Sequence, residues 1–125
     1  SLLPKLPPEA PNHLLGIADL TSLAACVPLG IDTFDSSYPT KAARHGTLLT
    51  PSGGMKISRG KHRDEFMPIQ EACSCFTCQN YSRAYLHHLF KAKELTAMTL
   101  ASIHNLHFMV DLMASYRQKI FLNLI

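Results

Sequence analysis

Three cysteines fall within six residues, Cys73-Ser-Cys75-Phe-Thr-Cys78, and no other feature constrains this chain as strongly. Cysteines two apart rarely bond each other, because a disulfide needs a set Cα separation and side-chain direction. The fourth cysteine, Cys26, is remote from the cluster. The N-terminal stretch 1–11 is rich in proline and has no apolar segment, so no secretion leader is expected. A dense cluster without a leader points to a reducing, cytoplasmic setting and a metal, most naturally Zn2+. A closed tetrahedral zinc site needs a fourth ligand. His87 and His88 are candidates on a helix that leaves the cluster, and His104 and His107 lie further along. Spacing does not choose among them. A filled set of three thiolates and one imidazole is structural, because catalytic zinc keeps one position for water. The plainer alternative is three reduced thiols in a core.

The chain has 125 residues, enough for one domain or for part of a larger one. It is 46% hydrophobic and 17% charged, which is ordinary for a globular protein. No apolar run reaches the roughly 18 residues of a membrane-spanning helix. The first residue is Ser1. A chain that was processed, or cut from something longer, is therefore expected.

Residues 13–18 (HLLGIA) form a short apolar run and read as a buried strand. Asp19 is a good N-cap, so 20–27 reads as a short helix, ended by Pro28 and Gly30. Residues 31–36 read as a second strand. A strand–helix–strand unit favours parallel pairing in an α/β sheet. Two such strands do not make a sheet alone. From Tyr38-Pro39 to about residue 71 the sequence reads as loop, with Ser52-Gly53-Gly54 as a turn and strand candidates at 47–50 and 55–58. From about residue 80 it reads as helix. One helix carries Tyr81, Tyr85, Leu86, Leu89 and Phe90 on an apolar face. A second is expected at 95–103. A third is expected at 106–122, with Leu106, Met109, Val110, Met113 and Ile120 at helical spacing.

The formal net charge is only +3, too mild to mark a nucleic-acid binder. Its distribution says more. No acidic residue lies between Asp35 and Asp64, while Lys41, Arg44, Lys56, Arg59, Lys61 and Arg63 all do. This stretch reads either as a polyanion-binding segment or as a solvated basic loop. Asp35 sits just before it, at the C-terminal end of the second expected strand. In α/β barrels the C-terminal strand ends carry the active site. Asp35 is therefore either a functional carboxylate or one that caps nearby backbone N–H groups.

These residues resemble a known family, the tRNA-guanine transglycosylases, also called queuine tRNA-ribosyltransferases. The first block that carries the resemblance is Phe34-Asp35-Ser-Ser-Tyr-Pro39-Thr40-Lys41-Ala-Ala-Arg44-His-Gly46. The second is Cys73-x-Cys75-x2-Cys78-x2-Tyr81-Ser82-Arg83-Ala84-Tyr85-Leu86-x-His88-Leu89, and the third is His104-Asn105-Leu106. His13-Leu-Leu15-Gly16 is similar to the family's strand that precedes the catalytic one.

The resemblance implies the C-terminal portion of a (β/α)8 barrel, with a zinc-binding subdomain and terminal helices. Residues 1–46 would supply the last two barrel strands and the catalytic segment, 47–104 the zinc subdomain, and 105–125 a closing helix. Asp35 aligns with the family's nucleophile, which attacks the ribose of a guanosine in the tRNA anticodon loop. An incoming 7-deazaguanine, queuine or a precursor, then takes the place of guanine. Cys73, Cys75, Cys78 and His104 align with the zinc ligands. Thr40, Lys41 and Arg44 align with RNA-binding positions, and Leu15 and Gly16 with a wall of the base pocket. The family usually has Arg where Lys41 stands, and Lys keeps the charge but loses the bidentate geometry. The family's second catalytic Asp and its base-reading residues would lie upstream, so residues 1–125 alone are expected to be inactive. Family members commonly form homodimers, or heterodimers in eukaryotes. A non-catalytic, zinc-containing tRNA-binding subunit is the alternative, and Asp35, Pro39 and Thr40 favour the enzyme. A zinc hydrolase is the third reading, and a water-free zinc would exclude it.

Overall fold

A computed structural model describes Pro7 and residues 9–125. The proline-rich start of the chain lies mostly outside these described residues. The chain divides into two compact units, one of Ser1–Tyr38 with Ala114–Ile125 and the other of Pro39–Met113.

The first unit contains a strand–helix–strand. Strand β1 is His13–Leu14 and β2 is Thr33–Phe34, and they pair in parallel with His13 opposite Thr33 and Leu14 opposite Phe34. The expected parallel pair is present, but each strand is far shorter than its expected bounds of 13–18 and 31–36. β1 ends because Gly16 turns the chain at φ +71°, a conformation that only glycine adopts without strain. Between the strands lies α1, Leu20–Cys26. Its N-cap is Asp19, whose carboxylate accepts a hydrogen bond from the Ser22 backbone N–H at 3.2 Å. A single 3-10 turn, Val27–Leu29, follows, and Gly30 ends it in the left-handed conformation at φ +99°. Ala18, Leu23, Val27 and Ile31 are the buried apolar residues of this stretch.

Next comes a helix that the sequence reading placed in a loop. Helix α2 spans Tyr38–Arg44. The dipeptide Tyr38-Pro39 reads as a loop start, yet proline within the first helical turn loses no hydrogen bond and fixes a helical φ. Strands β3, Thr47–Thr50, and β4, Gly53–Lys56, then form an antiparallel hairpin. The first matches its expected bounds. The second begins two residues early, because the turn is made by Pro51 and Ser52, and Gly53 and Gly54 are already paired. Position 54 has no room for a side chain, since a Cβ there would sit 2.8 Å from Thr47 Cγ2.

Three helices follow: α3, Phe76–Asn80, α4, Arg83–Lys91, and α5, Leu95–Phe121, of which α3, α4 and the part of α5 up to Met113 belong to the second unit. Tyr81 is the C-cap of α3 and not part of α4. The buried residues of α4 are Leu86, His87 and Leu89, whereas Tyr85 is exposed. The two helices expected at 95–103 and 106–122 are one helix of 27 residues. His104 and Asn105 look like an interruption in the sequence, but both are fully buried within α5. The stripe that α5 buries runs through Ala97, Leu100, Ala101, His104, Asn105 and Phe108. Leu106, Val110 and Ile120, expected on the apolar face, are exposed. The core of this unit includes Ala43, Leu48, Ile57, Ile69, Leu86, Leu100 and all three clustered cysteines. No helix among the described residues is long and apolar enough to cross a membrane.

Candidate functional site

The cysteine cluster is built by one tight turn. Cys75 caps α3, and its sulfur accepts a hydrogen bond from the Cys78 backbone N–H at 3.3 Å. That turn brings Cys75 and Cys78 together, and Cys73 lies just before it. The fourth group comes from α5. His104 Nδ1 lies 3.7 Å from Cys73 Sγ, 3.5 Å from Cys75 Sγ and 3.4 Å from Cys78 Sγ. All four donor atoms are buried and lie within 4.8 Å of one another. Metal–sulfur bonds of about 2.3 Å and metal–nitrogen bonds of about 2.0 Å at tetrahedral angles place sulfur and nitrogen about 3.5 Å apart. The observed separations match that edge, so these residues could hold one metal ion. His87, His88 and His107 are not in this set.

The outer groups prepare the histidine. His104 Nε2 lies 2.7 Å from the Leu49 carbonyl oxygen on β3. A carbonyl only accepts, so Nε2 carries the proton and Nδ1 presents its lone pair to the thiols. Burial pushes the His104 pKa down, which also favours the neutral ring that ligates. Burial pushes the Cys73 thiol up and the Cys78 thiol up to about 12. A bound cation must therefore displace thiol protons.

Asn105, next to His104, makes three side-chain hydrogen bonds, two of them buried. Its Oδ1 accepts from the Leu49 backbone N–H at 3.0 Å, and its Nδ2 donates to the carbonyls of Pro39 and Thr47, both at 3.0 Å. The sequence reading quoted Asn105 but gave it no role. Arg83 is likewise structural, with its guanidinium bonded to Glu65 Oε1 and to the carbonyls of Pro68 and Ile69.

The carboxylate of Asp35 lies just past the end of β2. Its Oδ1 receives two hydrogen bonds, from His13 Nε2 at 2.7 Å and from the Gly16 backbone N–H at 3.2 Å. Its Oδ2 accepts none among the described residues. The His13 bond, followed by the Gly16 N–H, holds the Asp35 carboxyl below its ordinary range. The sequence reading missed His13 as a partner, although its place opposite Thr33, two residues before Asp35, is what strand pairing gives. Leu15, beside this turn, is 76% exposed.

Lys41 and Arg44 lie exposed on α2, as do Lys56, Arg59, Lys61 and Arg63 further along the basic stretch. Lys56 Nζ donates to the His45 carbonyl. His62, in the same stretch, is buried and does not belong to the solvated set.

The fold and the site thus define an α/β chain with a buried Cys3His centre and a clamped carboxylate at the end of a parallel strand. Residues 1–123 match the family model of queuine tRNA-ribosyltransferase. The chain is 58% identical over 118 residues to the queuine tRNA-ribosyltransferase of Protochlamydia amoebophila, covering 94% of this chain and 30% of that protein. It is 54% identical to that of Chlamydia muridarum and 53% to that of Chlamydia felis, each over 113 residues, 90% of this chain and 30% of the relative. The chain belongs to the queuine tRNA-ribosyltransferase family. It spans 30% of the length of these curated relatives.

Proposed function

We propose that the whole protein is a tRNA-guanine transglycosylase, a pentosyltransferase that exchanges guanine at the anticodon wobble position for a 7-deazaguanine. The present chain supplies its last two barrel strands, its metal subdomain and its closing helix. Asp35 is the nucleophile. A bond forms between its carboxylate oxygen and the ribose C1′ as the bond from C1′ to guanine breaks, with the electron pair leaving on the base. The proton taken up by guanine comes from a residue outside this chain. The 7-deazaguanine then gives its ring N–H proton back to that residue, attacks C1′ through the nitrogen and releases the Asp35 carboxylate, so two inversions conserve the configuration. Such a displacement passes through an oxocarbenium-like state, which a carboxylate stabilises and traps. The target base must first be extruded, which suits a single-stranded loop.

The observation that carries this reading is the Asp35 carboxylate, fixed through one oxygen at the C-terminal end of a parallel strand while its side chain stays 57% exposed. Thr40, Lys41 and Arg44 would hold the anticodon loop, Lys41 as a point charge only. Leu15 and Gly16 would form a wall against the incoming base. The metal is zinc, which fits three thiols and an imidazole at tetrahedral spacing. When bound it stabilises the fold around Cys73, Cys75, Cys78 and His104, and a filled ligand set leaves no position for a reactive water.

The test is Asp35→Asn in the full-length protein. Loss of guanine exchange and of the covalent RNA adduct, with tRNA binding retained, is expected. Unchanged exchange would remove Asp35 from the mechanism. Tight tRNA binding by a wild-type protein that exchanges no base would favour the accessory-subunit reading.

A further inference from the structure

The groups around Asp35 form a chain of three side chains on one face of the strand pair. Residues two apart on a strand point the same way and are about 6.6 Å apart. Thr33 lies on β2 and Asp35 two residues on, just past the strand's end, and His13 is the register partner of Thr33. The imidazole bridges the interval: its Nδ1 lies 2.7 Å from Thr33 Oγ1 and its Nε2 lies 2.7 Å from Asp35 Oδ1. An ionised carboxylate only accepts, so Nε2 carries a proton. In the neutral ring the Thr33 hydroxyl then donates to Nδ1. Thr33 thereby fixes the tautomer and the ring plane, and the ring fixes the carboxylate.

We propose that His13, braced by Thr33, is a positioning residue that locks Asp35 through Oδ1 and so assigns Oδ2 as the attacking oxygen. The inference rests on the reading of Asp35 as the nucleophile. The Gly16 N–H, 3.2 Å from the same oxygen, completes the lock. Both hydrogen bonds converge on one carboxylate oxygen, and the other accepts none among the described residues. The side chains of His13 and Asp35 are 42% and 57% exposed. An ion pair this open contributes little to folding. What the arrangement does achieve is to hold a short side chain in one orientation. That matters for displacement at carbon, where a misplacement of about 1 Å costs about 100-fold in rate.

The experiment measures steady-state guanine exchange into tRNA, with radiolabelled guanine, in the full-length protein. His13→Ala is expected to lower kcat about 100-fold with little change in KM for tRNA. His13→Gln, whose side-chain amide can donate to the same oxygen, should recover most of the loss. Thr33→Val should lower kcat in the wild-type background and have no further effect when combined with His13→Ala, since the two act as one unit. Metal content and the thermal midpoint of each variant confirm that it is folded. Asp35→Asn is run alongside. A dead Asp35→Asn with His13→Ala at wild-type rate overturns the positioning role alone, as does a His13→Gln no better than His13→Ala. An active Asp35→Asn overturns the nucleophile and this inference with it. If His13→Ala does not fold, the comparison of His13→Gln and Thr33→Val with wild type decides: both at wild-type rate with Thr33→Val unperturbed in KM and kcat excludes the lock, and a kcat loss confined to Thr33→Val supports it.

Discussion

On the proposed reading of Asp35 as the nucleophile, its carboxylate has to be ionised to attack carbon, and its hydrogen bonds favour the ionised form. The His13 bond, with the Gly16 N–H behind it, lowers the Asp35 pKa. A depressed pKa means that the ionised form persists above that value and is lost only as pH falls through it. The acid limb of adduct formation should therefore lie below the ordinary carboxylate range. Removing the His13 bond raises the pKa, so His13→Ala should move that limb to higher pH. A pH profile of RNA adduct formation, wild type against His13→Ala, checks the direction. An acid limb that does not move would show that the bond is not felt by the reactive carboxylate. At this scale the sequence was informative about chemical types. Asp35 is legible from its place after an expected strand and ahead of a basic stretch, and the three cysteines from their metal-ligand spacing. Their partners were not legible. His13 touches Asp35 across 22 positions, and the Leu49 carbonyl that orients His104 lies 55 positions away, on a backbone atom that carries no side-chain signal.

Among the elements, α5 and the β3–β4 hairpin depend on each other. Asn105 satisfies the Leu49 N–H and the carbonyls of Pro39 and Thr47, and it is fully buried. Asn105→Ala removes the side-chain partner of the Leu49 N–H and the Thr47 carbonyl and opens a void, and each unsatisfied buried group costs about 1–3 kcal/mol. A loss of about 3 kcal/mol in unfolding free energy is expected, read from denaturant melts of the metal-loaded protein. A loss under about 0.5 kcal/mol, the usual size for a surface substitution, would show that water replaces the amide. The same pair explains why the sequence reading split α5. Adjacent His104 and Asn105 break an apolar pattern, and only the hairpin that accepts and donates to them shows that they belong inside. The apolar run at 13–18 misled in the other direction, since hydrophobicity marks burial and not strand length, and Gly16 ends the pairing after two residues. By contrast, α1 was legible because Asp19, Pro28 and Gly30 punctuate it locally.

For the molecule as a whole, the Cys3His cluster and the hydrophobic core of the Pro39–Met113 unit are one structure. Cys73, Cys75 and Cys78 pack with Leu48, Ile57, Leu86 and Leu100. On the proposed reading of the cluster as a metal site, chelating the ion should therefore loosen the core of the Pro39–Met113 unit and lower its unfolding temperature. Because burial raises the Cys73 and Cys78 thiols, metal binding must release protons, and affinity should rise as pH is raised through neutrality. A competition titration against a chromophoric zinc chelator at several pH values measures the slope. A flat slope would mean that the thiols are already ionised without metal. The family was legible at this scale because three separated motifs occur in order, which no single short pattern supplies. Two parallel strands need neighbours on both sides, and the chain accounts for 30% of its curated relatives.

The residues that guard the centre lean on main-chain atoms. His104 is oriented by the carbonyl of Leu49, and Asn105 is held by the backbone of Leu49, Thr47 and Pro39. A carbonyl persists whatever side chain replaces its neighbour, so point substitution at position 49 cannot delete the acceptor. Evolutionary drift in β3 is in this respect harmless to ligand orientation. Changes of length are not: one residue gained or lost within β3 would break the spacing of the Thr47 and Leu49 carbonyls that α5 reads. The centre is thus robust to misspelling and fragile to insertion and deletion, a pattern that should be visible as gap-free spacing across variants selected for metal retention.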